Sequence, residues 1–138
     1  MKSIATSVVV ATATALAAAP AAAADSLWFT SPSGNISCTL AEDLLRCDIE
    51  QRDWSPPPRP ADCSEMTGYG QGISIGPTGP AAFVCAGDTT FGSGATVLPY
   101  GQFQAGSGMS CTSEEAGMRC SNSDGRGFTL SRQRYTLF

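Results

Sequence analysis

The 138-residue chain predicts a small all-β fold: an antiparallel, disulfide-stapled sandwich or partly open barrel with two pseudo-equivalent hairpins. Three observations carry that expectation. First, one stretch occurs twice. Gly34-Asn35-Ile36-Ser37-Cys38-Thr39 leads to Arg46-Cys47, and Gly108-Met109-Ser110-Cys111-Thr112 leads to Arg119-Cys120, with the Ser, Cys, Thr, Arg and Cys each recurring 73 residues later. Second, the apolar residues around both copies recur with a period of two, and no segment has helical periodicity. Third, 14% charged residues with 15 Gly and 9 Pro suit short strands and turns.

The N-terminus reads as a signal peptide, residues 1–24. Lys2 supplies a short basic region, 4–19 an apolar run, and Ala22-Ala23-Ala24 a small-residue cleavage site before Asp25. An uncleaved membrane anchor is the competing reading, and the Ala/Thr-rich run with its processing site disfavours it. The first cysteine is Cys38, so no lipid-modified N-terminal cysteine is expected. Residues 25–138 then form a single disulfide-bonded β domain, secreted to the extracellular side with no membrane span after processing.

That domain has no lysine and no histidine, and its seven arginines against twelve Asp/Glu give a net charge of −5. The sign excludes nucleic acid and anionic membrane surfaces as expected partners, because there is no basic patch to release counterions.

In chain order, Leu27-Trp28-Phe29 is a short strand and Ser31-Pro32-Ser33-Gly34 a turn. In the first hairpin, pairing Cys38 with Cys47 also pairs Leu40 with Leu45 and Ile36 with Ile49, all on one inward face. Thr39 then meets Arg46 on the solvent face. The turn 41–44 lacks Gly and Asn, which favours a wider loop. The stretch 50–60, with Trp54 before Ser55-Pro56-Pro57-Pro58-Arg59-Pro60, reads as an extended surface loop. Gly68-Tyr69-Gly70-Gln71-Gly72 reads as a flexible loop, and 73–75 and 81–85 as strands. Strands are also expected at 96–98 and 100–104. The second hairpin turns Met109, Cys111 and Ser113 inward with Met118, Cys120 and Asn122, while Thr112 opposes Arg119. Asn122-Ser123-Asp124-Gly125 is a turn. A strand over 127–131, a single helical turn over 132–134 and an apolar end at 135–138 follow.

Six cysteines in an exported chain read as a disulfide framework, for which fifteen connectivities exist in principle. The hairpin registers select Cys38–Cys47 and Cys111–Cys120, which leaves Cys63–Cys85. Zinc is a poor alternative without His or a C-x-x-C pair, and no metal or cofactor is expected.

The run Phe29-Thr30-Ser31-Pro32-Ser33-Gly34-Asn35-Ile36-Ser37-Cys38, with Arg46-Cys47-Asp48-Ile49, resembles a family of small secreted or lipid-anchored actinobacterial proteins of unknown function. Leu98-Pro99-Tyr100-Gly101, Gly117-Met118-Arg119-Cys120, Asp124-Gly125-Arg126-Gly127-Phe128, Ser131-Arg132 and Tyr135 fit the same pattern, and Trp54 with its proline run departs from it. The resemblance implies an exported, disulfide-bonded domain and supplies no activity.

Catalytic constellations are scarce. Without histidine, and with the single lysine in the leader, neither a nucleophilic triad nor a Ser-Lys dyad can form. Gly68–Gly72 lacks the strand and helix of a phosphate cradle, and 122–125 lacks the terminal Glu of a calcium loop. Paired carboxylates remain, drawn from Asp48, Glu50, Asp53, Asp62, Asp88 and Asp124. Arg46 and Arg119 are candidate binding residues, as a symmetric anion or carbohydrate contact, set against a plain cross-strand Thr–Arg pair. Trp54 is the third, as an anchor for a partner or sugar, or else as a lid over the core. The reading is a secreted, non-enzymatic envelope-associated or extracellular binding module of unknown ligand. The alternatives are a carboxylate-based cell-wall or glycan hydrolase and an enzyme inhibitor presenting the 54–60 loop.

Overall fold

The computed structural model describes residues 2–15, 26–92 and 94–138. Residues 2–15 are exposed and have no regular secondary structure, and the expected cleavage site at 22–25 lies outside the described residues. No helix among the described residues is long and apolar enough to cross a membrane.

Eleven strands follow one another: β1 Leu27–Thr30, β2 Ile36–Leu40, β3 Leu45–Ile49, β4 Tyr69–Ile75, β5 Ala82–Cys85, β6 Thr96–Val97, β7 Phe103–Gly106, β8 Met109–Glu114, β9 Gly117–Asn122, β10 Gly127–Leu130 and β11 Tyr135–Leu137. They build two sheets, β5-β4-β3-β2-β1-β6 and β11-β10-β9-β8-β7. Every pairing is antiparallel except β1 with β6. The sheets are separate and face each other, so the fold is a sandwich and not a barrel.

The hairpin registers match the expectation. Cys38 opposes Cys47, with Leu40 on Leu45 and Ile36 on Ile49. Cys111 opposes Cys120, with Met109 on Asn122 and Ser113 on Met118. All twelve of these side chains are buried. The three disulfides are Cys38–Cys47, Cys63–Cys85 and Cys111–Cys120. The two hairpin disulfides are fully buried and meet in the core, where Cys47 Sγ lies 3.7 Å from Cys120 Sγ. Equivalent atoms of the two copies thus touch each other, the arrangement of an isologous interface.

The repeat extends beyond the hairpins. Gly72-Ile73-Ser74-Ile75 lies along β3, with Ile73 beside Cys47 and Ser74 beside Arg46. Gly127-Phe128-Thr129-Leu130 lies along β9, with Phe128 beside Cys120 and Thr129 beside Arg119. Each glycine answers a close approach: a Cβ at Gly72 would stand 2.4 Å from Cys47 O, and one at Gly127 2.0 Å from Cys120 O. β1–β5 and β7–β11 are therefore two copies of a five-stranded meander, and β6 is an addition from the connection between them.

Four local expectations are corrected. Residues 69–72 belong to β4, where positive-φ Gly70 sits in a register shift against β5, so the glycines mark a bulge and a close contact and not a loop. The strand expected at 96–98 stops at Val97. The strand expected at 100–104 starts only at Phe103, because 99–102 is a turn with Gln102 N–H on Pro99 O and Gly101 at positive φ. Residues 132–134 bend without forming a helical turn, and the described residues contain no helix.

Candidate functional site

The solvent-facing sides of the two copies have different fates. On the first sheet, Arg46 does not reach solvent as expected. It is 7% exposed, and Asp48 beside it is 1% exposed. Arg46 Nε and Nη2 donate to the two Asp48 carboxylate oxygens at 2.8 Å each, and Nη1 donates to Asp88 Oδ1 at 2.7 Å. The segment 86–92 covers this pair. Thr90 N–H donates to Asp48 Oδ2, Thr90 Oγ1 donates to Ser37 O, and Ser37 Oγ donates to Thr90 O. This face of the first hairpin is a satisfied polar core.

Burial pulls the Arg46 pKa down, but hydrogen bonds and charge from Asp48 and Asp88 outweigh it and raise it above the ordinary arginine value. The Arg46 hydrogen bond and then its charge hold the Asp88 carboxyl below its ordinary value. A depressed carboxylate contributes stability above its unfolded pKa and loses it as pH falls through the folded one. The Asp88 contact should therefore be lost as pH falls at a lower pH than that at which an unpaired aspartate takes up its proton. A carbon-detected NMR titration of Asp88 should place its midpoint below that of an unpaired aspartate; an ordinary midpoint would mean the contact does not form in solution.

On the second sheet no segment among the described residues covers the equivalent face. Arg119 is exposed, and its guanidinium lies 4.3 Å from the centre of the Phe138 ring. Phe103, Thr112, Arg119, Thr129 and Thr136 form one row across all five strands, ending at Phe103, which is 66% exposed. A groove of about 430 Å³ opens on this face, lined by Arg119, Thr129, Gln133, Arg134 and Glu114, among others. Arg46 and Arg119 thus lie on opposite outer faces of the sandwich, and one ligand cannot contact both.

Trp54 adopts the lid arrangement. It is half-buried, its indole N–H donates to Ser131 O at 2.8 Å, and its ring packs on Tyr135 and Phe83 at centroid distances of 4.7 and 6.1 Å. Phe83 and Tyr135 come from the edge strands β5 and β11, so Trp54 closes that side of the sandwich. Arg52 stacks over the indole and donates to Gly70 O, and Asp53 N–H donates to Arg132 O. The Trp54 end of the proline loop is therefore fastened to the domain. Trp54→Phe should cost about 1 kcal/mol for the lost hydrogen bond, and Trp54→Ala about 3 kcal/mol, the low end for truncating a core tryptophan. Urea unfolding of the two variants checks this; a neutral Trp54→Ala would place the side chain in solvent.

The carboxylate candidates scatter. Asp48 and Asp88 serve Arg46, Asp53 lies 3.5 Å from Arg132, and Asp62 is exposed. Asp124 accepts Gly79 N–H, while Asn122 accepts Asp124 N–H and Arg126 N–H and donates to Gly76 O and Gly79 O. These oxygens are taken up in docking the turn onto the β4–β5 loop. Glu50 alone enters a cleft, of about 360 Å³ at one end of the sandwich, with Glu114, Glu115, Arg132 and Tyr100.

Sequence reasoning missed Arg134, Gln133, Thr129 and Phe138. Their link to Arg119 depends on the third strand of the repeat, and the matching Gly-Ile-Ser-Ile and Gly-Phe-Thr-Leu strings were the available signal.

Three disulfides in so small a domain point to an extracellular or otherwise oxidising compartment. No curated protein and no solved structure matches the chain. One family model covers residues 8–138, and by that match the chain belongs to DUF6636, a family of unknown function.

Proposed function

We propose that the protein is a secreted, non-enzymatic binding module of the cell envelope or extracellular medium, with residues 1–24 removed on export and 25–138 as the working domain. The outer face of the second sheet is its recognition surface. The observation that carries this is the unequal treatment of two equivalent arginines: Arg46 is sealed under 86–92, and Arg119 stands open beside a groove. A rigid, stapled scaffold that presents an uncovered polar and aromatic row suits binding with little ordering cost.

The test is an NMR titration of the oxidised protein with soluble cell-wall polysaccharide. Shift changes concentrated at Thr112, Arg119, Thr129 and Thr136 are expected, with the polysaccharide recovered intact. Changes confined to the first sheet would contradict the reading.

A hydrolase is the second reading, favoured by Glu50 sharing the end cleft with Glu114 and Glu115. Turnover of the same polysaccharide, abolished by Glu50→Gln, would establish it in place of the first.

A further inference from the structure

We propose that the groove beside Arg119 binds a carboxylate-bearing saccharide, its carboxylate held by Arg119 and Arg134 and its hydroxyls by Thr129, Gln133 and Glu114. The proposal rests on the reading of the second sheet as the recognition surface and goes further by assigning the ligand's chemistry.

Charge is the first argument. Residues 25–138 carry a net −5, yet this groove gathers two exposed arginines. Among the described residues neither guanidinium has a carboxylate within 4 Å, whereas Arg46 and Arg132 do. Two unpaired cations in one concave site favour an anion.

Preorganisation is the second. Stacking on Phe138 occupies one face of the Arg119 guanidinium and leaves its in-plane N–H groups for a ligand. The backbone of Arg134 is fixed at the groove by a tight turn in which Ser131 N–H and Ser131 Oγ both donate to Arg134 O, and Arg134 N–H donates to Ser131 Oγ. The planar fork of Arg119, held by its stacking, matches a carboxylate in bidentate geometry, and Arg134 adds a second cation beside it.

The remaining lining selects what the anion is attached to. Glu114 repels any anion set beside it, so the charged end of the ligand lies at the arginines, while Glu114 accepts hydrogen bonds from hydroxyls, and Thr129 and Gln133 offer both donors and acceptors. A ligand carrying both a carboxylate and hydroxyls satisfies all of these groups. From Arg119 the row continues through Thr112 to Phe103, carrying the surface beyond the groove for roughly 10 Å, two inter-strand spacings. It ends in an exposed ring suited to the C–H face of a sugar, so an extended oligosaccharide fits better than a single residue.

Oligogalacturonate is the probe, titrated calorimetrically into the oxidised protein, with its methyl ester, inorganic phosphate and an oligoglutamate peptide in parallel. Oligogalacturonate should bind, weakening as NaCl rises. Methyl esterification should weaken binding about tenfold or more, the scale of one charge-assisted hydrogen bond. Arg119→Gln and Arg134→Gln should do the same, Arg119→Lys should fall between, and Arg126→Gln, which removes an equal charge outside the groove, should change nothing. Near-UV circular dichroism confirms that each variant is folded.

Equal binding of acid and ester, or equal losses in Arg119→Gln and Arg126→Gln, would overturn the carboxylate assignment. Oligoglutamate or phosphate binding as tightly as oligogalacturonate would overturn the saccharide assignment. In each case the binding-face reading survives if the NMR changes stay on the second sheet, and falls with the proposal if they move elsewhere. Absence of binding by oligogalacturonate would overturn the proposal outright.

Discussion

Reduction of the three disulfides is expected to unfold the domain at physiological temperature. Two of them close loops with a sequence separation of 9 and the third one of 22. In the chain-entropy model these are worth about 2.5–3 kcal/mol for each short loop and about 3.5 for the longer one. The total, roughly 9 kcal/mol, is comparable to the whole net stability of a typical domain. Placement adds to the effect. Cys38–Cys47 and Cys111–Cys120 are fully buried and stacked where the sheets meet, so reduction puts four bulkier thiols into the centre of the core. Cys63–Cys85 lies at the edge, with Cys85 exposed, so opening it alone should leave the core contacts formed. Thermal scans with and without reductant check the first expectation; a reduced protein that kept a cooperative transition near the oxidised one would contradict it.

The second large effect is expected at Arg46. Arg46→Met leaves the Asp48 carboxylate 1% exposed, with Thr90 N–H still donating to it but no cation beside it. An uncompensated buried charge costs about 3–5 kcal/mol. Replacing both partners, Arg46→Met with Asp48→Leu, should recover most of that loss, because the well-packed apolar pair removes the desolvation cost along with the attraction. Denaturant unfolding of the two single variants and the double variant measures the coupling. Additive losses would mean that the two side chains do not act as a pair.

Much of the scaffold was legible because two demands agreed on one register. The pairing that joins Cys38 to Cys47 is also the one that puts Ile36, Leu40, Leu45 and Ile49 on the same face, and a slip of one residue would have broken both. The third strand was harder, because Gly68 to Gly72 has loop composition. Gly72 is in the strand because Asp48 and Cys47 O leave no room for a Cβ, a constraint that exists only once β3 and β4 are paired.

The site was less legible. Trp54 finds its partner carbonyl at Ser131, 77 residues away, and Arg46 its cover at Asp88 and Thr90, so neither environment follows from local periodicity. One clue was present. Asp48 stands two residues from Arg46 on the same strand face, whereas the equivalent position in the second copy is Ser121. The acid that seals the first arginine is missing beside the second, and that difference distinguishes the scaffold copy from the open one.

Equilibrium stabilities of Arg46→Met and Arg119→Met, measured side by side in the oxidised protein, test that division most directly. The expected result is a loss of about 3–5 kcal/mol at Arg46 and no more than about 1 kcal/mol at Arg119, the worth of its stacking on Phe138. Equal losses at the two positions would contradict it, because the outer face of the second sheet would then hold the fold together as much as that of the first.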